Sequence, residues 1–162
     1  MSSIYYLSLG SNVGDRGDNL REAIHRLEAV GRVVSVSSFY ETEPVEFTEQ
    51  GWFLNCAVAL ETEKTPEELM TALLEIERDM GRRRTQSKGP RNIDLDILLA
   101  GDRVVDTAEL SIPHAAMHQR RFVLEPLVEI APEAWHPVMK RSAKELLEDL
   151  PAGQAVRRVS LY

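Results

Sequence analysis

The sequence predicts an α+β fold: a βαββαβ sandwich with a C-terminal helical extension. Two observations carry this. Apolar residues alternate between a period of two and a helical period as far as Leu99, and turn or cap residues fall where the period changes. Ile4–Leu9 is rich in strand formers and stops at Gly10-Ser11-Asn12, a turn signal. Asn19 with Glu22 forms a capping box for a helix whose stripe is Leu20, Ala23, Ile24, Leu27 and Val30, with Gly31 as its end. Val33–Tyr40 reads as the second strand and Phe53–Glu61 as the third. Along the third, Phe53, Asn55, Ala57 and Ala59 share one face, and Leu54, Cys56, Val58 and Leu60 the other. Thr65-Pro66-Glu67-Glu68 opens the second helix with a cap, a first-turn proline and a completed box. Leu69, Leu73, Ile76 and Met80 are its stripe, and Gly81 its end. Asp94–Leu99 is the fourth strand. This is the element order of a ferredoxin-like sandwich. Beyond it, Ile112-Pro113-His114 reads as a turn, residues 116–130 as helical despite Pro126, Ser142–Leu150 as a capped helix and Val156–Val159 as a late strand.

The 162 residues suit one domain, 1–162, with a substantial hydrophobic core. No repeat, low-complexity tract or linker divides them. A net charge of −7 argues against general nucleic-acid binding, which needs a broad basic surface. The single cysteine, Cys56, rules out an internal disulfide and a cysteine-rich zinc site, and suits a reducing cytoplasm. The N-terminal MSSIYYLSLGSN lacks the basic region of a signal peptide, and no apolar run approaches the roughly 20 residues of a membrane span. The expectation is a cytoplasmic monomer with no nucleic-acid or membrane partner.

Against that acidic background one segment stands out. Arg82–Arg91, RRRTQSKGPR, carries five positive charges and no acid. It runs directly into Asp94-Leu95-Asp96-Ile97, an apolar strand with two carboxylates. On a strand, Asp94 and Asp96 share a face with Cα atoms roughly 6.6 Å apart, while Leu95 and Ile97 point to the core. Two hard oxygen donors at that spacing can hold Mg²⁺, and Arg side chains give forked donation to phosphate oxygens. A polyphosphate is therefore the ligand class these residues predict, with the cationic segment as a lid over it. A charge run is more often a solvated face, and a bare pair of alternating acids is weak evidence alone. The familiar phosphate loops are absent, since neither a GxxxxGK[ST] nor a GxGxxG pattern occurs. Two other readings compete. His114 and His118, four apart, could join the aspartates in a metallohydrolase site, and the fold could serve as a non-catalytic binding module. His25 and His136 read as ordinary surface or packing residues.

Further segments narrow the choice. They are Ser37-Ser38-Phe39-Tyr40-Glu41-Thr42, Phe53-Leu54-Asn55-Cys56-Ala57-Val58, Gly89-Pro90-Arg91-Asn92-Ile93-Asp94-Leu95-Asp96-Ile97-Leu98, and Ile112-Pro113-His114 followed by Arg120-Arg121-Phe122. Together they resemble the 6-hydroxymethyl-7,8-dihydropterin pyrophosphokinases of folate biosynthesis, from the first strand to about residue 137. The resemblance implies the ferredoxin-like sandwich and transfer of the β,γ-pyrophosphoryl group of ATP to the pterin hydroxymethyl, with AMP released and two Mg²⁺ ions used. It implies Asp94 and Asp96 as metal ligands and Arg82 and Arg91 as catalytic arginines. Glu77, Arg84, Ile97, His114 and Arg120 match ATP-site positions, and Thr42, Val45, Phe53, Asn55 and Phe122 match the pterin pocket. Phe53 stands where members often have Tyr. Glu43, Lys88 and Ala115 also depart from a common pattern, and the cationic segment is one residue shorter than in it.

The residue chemistry agrees. A pterin is flat and aromatic, so Phe53 and Phe122 suit stacking. Its amide–amine edge needs both a donor and an acceptor, which Asn55 offers.

Overall fold

The structure is a computed structural model that describes residues 2–42, 52–81, 92–153 and 155–159. Its elements in chain order are β1 (Ser3–Ser11), α1 (Arg16–Leu27), β2 (Arg32–Val36), β3 (Phe39–Thr42), β4 (Phe53–Thr62), α2 (Pro66–Asp79) and β5 (Asp94–Ala100). There follow β6 (Val105–Asp106), β7 (Ser111–Ile112), a 3₁₀ turn (Met117–Gln119), α3 (Arg121–Ile130), β8 (Trp135–His136), β9 (Arg141–Ser142), α4 (Ala143–Asp149) and β10 (Val156–Val159). The main sheet is antiparallel at every pairing, in the order β10-β3-β4-β1-β5, with β2 also on β4. The last strand of the βαββαβ unit, β5, lies beside the first, as the ferredoxin-like order requires.

Side-chain alternation gives the sheet two apolar faces. Leu7, Leu9, Leu54, Leu60, Leu95 and Ile97 pack with Leu20, Leu27, Leu69 and Leu73 from α1 and α2. Ala57, Leu98 and Leu99 pack with Met117, Val123, Leu124 and Leu127 around α3, and with Ala143 and Leu146 of α4. Each fully buried leucine contributes about 1.5–3 kcal/mol by removal from water. The expected C-terminal helices are thus a third layer, over the opposite face from α1 and α2.

The capping box of α2 forms as expected: Thr65 Oγ1 accepts from the Glu68 N–H at 3.2 Å, and Glu68 returns the bond to the Thr65 N–H at 2.8 Å. Gly81, at φ +88°, ends the turn after it, a conformation that costs glycine little. The Ser142–Glu145 box likewise starts α4.

Four readings need correction. β1 runs through Gly10 to Ser11 instead of stopping at Leu9, because β4 and β5 pair with Gly10 on both sides. The cap of α1 is Asp15, which accepts from the Asp18 N–H at 3.0 Å. Asn19 lies inside the helix and donates to the Ser11 hydroxyl and the Val13 carbonyl. The second strand is two pieces, β2 and β3, broken at Ser37-Ser38. There the Ser37 hydroxyl accepts from the Ala57 N–H at 2.8 Å, so a side chain fills a rung of the backbone ladder. Finally, residues 116–130 are not one helix: the 3₁₀ turn and α3 meet at Arg120, whose backbone is extended.

Candidate active site

The register of the sheet assembles the site. Asn55 of β4 pairs with Gly10 of β1, and Gly10 pairs with Asp94 of β5. One rung inward, Ala57 pairs with Ser8 and Ser8 with Asp96. Across β4 in the other direction, Phe53 pairs with Thr42 of β3. Paired residues share a face, so Thr42, Phe53, Asn55, Asp94 and Asp96 all stand on the α3 side of the sheet. They come from three strands, β3, β4 and β5, and β1 lies between the last two.

Asn55 is buried. Its Nδ2 donates to Thr42 Oγ1 at 2.6 Å, and Thr42 is itself buried. Gly10 makes room for it: a Cβ there would meet Asn55 Oδ1 at 2.8 Å and Phe53 Cδ1 at 3.7 Å. Sequence reasoning missed Gly10, since a glycine before Ser-Asn reads as a turn.

Asp94 and Asp96 are half-buried at the start of β5. The Leu95 N–H between them points to α2, where the buried Glu77 accepts it through Oε2 at 2.7 Å. Glu77 thereby fixes the backbone from which both aspartates project. The residues flanking the cationic segment are tied together, with the Asn92 side-chain amide donating to the Met80 carbonyl at the end of α2.

A register shift in the β1–β5 pairing lies between Tyr6 and Leu7, where β5 passes from Leu99 to Ile97. The carbonyl of the intervening Leu98 accepts from the His114 N–H at 3.0 Å. His114 Nδ1 accepts from the Ala116 N–H at 3.2 Å, which places the ring proton of the neutral imidazole on Nε2. Burial, and secondarily the Arg120 guanidinium, hold the His114 pKa below its usual value, while Asp94 opposes them. The Arg120 guanidinium lies 5.6 Å from the centre of the Phe122 ring, a cation–π contact at the start of α3. A cavity of about 220 Å³ connects α2, β5 and the β7 turn, lined among others by Met70, Leu73, Asp96, Ile97 and His114. Its walls are mainly apolar with convergent polar groups, as small-molecule sites are. Met70 and Leu73 on its wall were visible in the sequence only as helix residues.

Arg82, Arg84, Arg91 and Val45 lie outside the described residues. The alternative His/Asp metal site is not assembled: His118 packs edge-on to His136 at 6.0 Å. Among the described residues no group of three or more His, Cys, Asp or Glu gathers for a metal. The aspartate pair is therefore a two-carboxylate donor set. That set fits Mg²⁺, which takes one or two carboxylates plus substrate phosphates and water, better than it fits a closed protein cage.

Fold and site together define an α+β protein with a carboxylate pair on an edge strand, a buried amide on the same sheet face and a cavity beside them. The chain belongs to the 7,8-dihydro-6-hydroxymethylpterin-pyrophosphokinase (HPPK) family, whose sequence pattern matches residues 6–132. It is 46% identical over 132 residues to the 2-amino-4-hydroxy-6-hydroxymethyldihydropteridine pyrophosphokinase of Bacillus subtilis, covering 80% of this chain and 79% of that one. It is 42% identical over 164 residues to the folic acid synthesis protein fol1 of Schizosaccharomyces pombe. That match takes in 99% of this chain but 22% of fol1, so the chain spans under a quarter of that longer relative. The fold is shared with Plasmodium falciparum HPPK-DHPS in its crystal structure with pteroate, at a TM-score of 0.76 and 17% identity over 91% of this chain and 44% of that one. No described helix is long and apolar enough to cross a membrane.

Proposed function

We propose that this chain transfers the pyrophosphoryl group of ATP to the hydroxymethyl group of 6-hydroxymethyl-7,8-dihydropterin, releasing AMP, as a step of folate biosynthesis. The observation that carries the reading is the placement of Asn55 with Thr42, and of Asp94 with Asp96, on one sheet face across Gly10. An acceptor-binding amide and a phosphate-facing carboxylate pair are then neighbours by strand register alone.

Asn55, Thr42, Phe53, Phe122 and Val45 bind and orient the pterin. The Asn55 amide matches the donor–acceptor edge of the heterocycle, and the phenyl rings stack on its faces. His114, Arg120, Arg84 and Ile97 bind ATP, with His114 Nε2–H as a donor to the nucleotide. Glu77 acts through the Leu95 N–H and orients Asp94 and Asp96. The two aspartates would hold Mg²⁺, proposed as two ions, which would supply Lewis acidity to the phosphate oxygens and the attacking hydroxyl.

The pterin oxygen forms its bond to the β-phosphorus as the bond from that phosphorus to the α-phosphate oxygen breaks. AMP leaves with the electron pair, and the hydroxyl proton passes to solvent. Arg82 and Arg91 stabilise the charge that develops on the transferred group. Positioning and charge neutralisation supply most of the rate, so no protein general base is needed. In this proposal the chain works as one domain and as a monomer, with the described site residues supplied within one chain by β3, β4, β5, α2, the turn after β7 and the start of α3. A reducing cytoplasm suits its lone thiol, the buried Cys56.

The test is product analysis with ATP, Mg²⁺ and the pterin. AMP as the nucleotide product supports the reading, ADP would overturn pyrophosphoryl transfer, and no turnover would favour a binding module. Asp96→Ala is expected to lower kcat by on the order of 10²–10³ with the fold intact. Activity like that of the unaltered chain would remove Asp96 from the metal site.

A further inference from the structure

On the β3–β10 side of the sheet, three charged side chains and an indole meet beside Thr42 and Phe53. Glu41 of β3 accepts through Oε2 from Arg16 Nη2 at 2.8 Å, and through Oε1 from Arg157 Nη2 and Nε at 2.8 and 3.2 Å. Arg16 also donates through Nη1 to the backbone carbonyl of Trp52 at 2.6 Å. Arg157 lies over the Trp52 ring, 5.4 Å from its centre.

The arrangement is specific in two ways. Arg16 is the first residue of α1, where the helix dipole disfavours a cation. Its bonds reach across to β3 and to the residue before β4, and they offset that penalty. Arg157 belongs to β10, which pairs with β3 with Arg157 opposite Glu41. The C-terminal strand thus reaches the site edge through both its backbone and this side chain. On the opposite face Arg158 lies 3.8 Å from Glu129, which accepts from Tyr40 and Ser38 of the same strand region.

Glu41 immediately precedes Thr42, and Trp52 immediately precedes Phe53. We propose that Arg16, Glu41 and Arg157 form a clamp that holds the ends of β3 and β4 in register, and so positions Thr42, Phe53 and Asn55 for the acceptor substrate. These three are positioning residues: they act through the acceptor-site side chains. The C-terminal strand is then part of the acceptor-site machinery although it contributes no residue to the site. The Glu41 carboxyl is held below its ordinary pKa, first by the Arg16 hydrogen bond, in line with an ionised hub between two guanidinium groups.

The inference rests on the proposed reaction and deepens it. The experiment varies ATP and pterin separately for the unaltered chain, Glu41→Ala, Arg157→Ala and Arg32→Ala. The last removes an exposed partner of Glu61 at the far end of the sheet and serves as the control. Direct titration of 6-hydroxymethylpterin by calorimetry accompanies the kinetics. Glu41→Ala is expected to raise the pterin KM and Kd about five- to tenfold, and Arg157→Ala about two- to fourfold, with the ATP KM within about twofold of its starting value. Arg32→Ala should leave pterin binding unchanged. Equal rises in both KM values, or a control that matches Glu41→Ala, would reduce the clamp to general stability and overturn the inference. So would unchanged pterin binding in Glu41→Ala while the unaltered chain binds pterin and makes AMP. An unaltered chain that neither binds pterin nor makes AMP would overturn the proposed function, and this inference with it.

Discussion

Gly10→Ala is the sharpest single probe of the site. Gly10 lies in a strand without positive φ, so alanine can adopt its backbone. The added methyl would stand 2.8 Å from Asn55 Oδ1, whereas ordinary contact begins at 3.4 Å, so the amide must retreat by about 0.6 Å. Overpacking of this kind costs about 1–3 kcal/mol, and the entropy gained by replacing glycine offsets about 0.5–1 of it. A net loss near 1 kcal/mol lowers Tm by roughly 2–4 °C in a chain of this size. The functional effect is larger. The amide is also bound to Thr42 and cannot move without disturbing that 2.6 Å bond. A misplacement of about half an ångström in a binding group raises the pterin KM roughly tenfold. Gly31→Ala supplies the contrast. Its methyl would collide with the Glu61 carbonyl and stand 2.9 Å from Thr62 Cβ, where backbone cannot yield. It should lower Tm further, by about 3 kcal/mol or more of stability, yet leave pterin affinity alone. Calorimetric melting and pterin titration of both variants decide the matter. Normal pterin affinity in Gly10→Ala, or equal loss of affinity in Gly31→Ala, would refute the claim that Asn55 is held over Gly10 for binding.

Two further outcomes follow from the same geometry. Glu77→Ala should strip the Leu95 N–H of its partner, cost about 1–3 kcal/mol in urea unfolding and raise the Mg²⁺ concentration needed for half-maximal activity, whereas an unchanged Mg²⁺ requirement would separate Glu77 from the aspartates. His114 and His136 are both held below their usual pKa of 6.5, chiefly by burial, so the unfolded chain binds protons that the folded one refuses. Their contribution to stability is full above 6.5 and is lost as pH falls below it towards the folded values; His136→Gln should flatten the fall in Tm between about pH 7.5 and 5.5, and an undiminished slope would refute this.

The parts legible in the sequence are those set by near neighbours. Thr65, Pro66 and Glu68 fix the start of α2 within four residues, and the alternation at Asp94 and Asp96 reports their shared face directly. What escaped depends on partners far along the chain. Gly10 is a clearance only because Asn55 arrives beside it from β4. The break at Ser37 is stable only because the Ala57 N–H needs the hydroxyl. Asp15 caps α1 four residues before Asn19, whose amide donates to the Ser11 hydroxyl and the Val13 carbonyl from inside the helix. Glu77 matches an ATP-site position in the sequence, and its bond to the Leu95 N–H is legible only once β5 lies beside α2.

The rung Asn55–Gly10–Asp94 also works as a calliper. It crosses β4, β1 and β5, two inter-strand steps of about 4.8 Å each, so the Asn55 amide and the Asp94 carboxylate stand on backbones roughly 10 Å apart. Rotamers can trim that span but cannot reset it. Changing it by backbone means slipping a strand, and a slip of one residue would turn the aspartates or Asn55 into the leucine core. In the proposed reaction the sheet would therefore gauge the acceptor: a compound whose reacting oxygen lies much nearer to, or farther from, its hydrogen-bonding edge would engage one end of the jaw but not both.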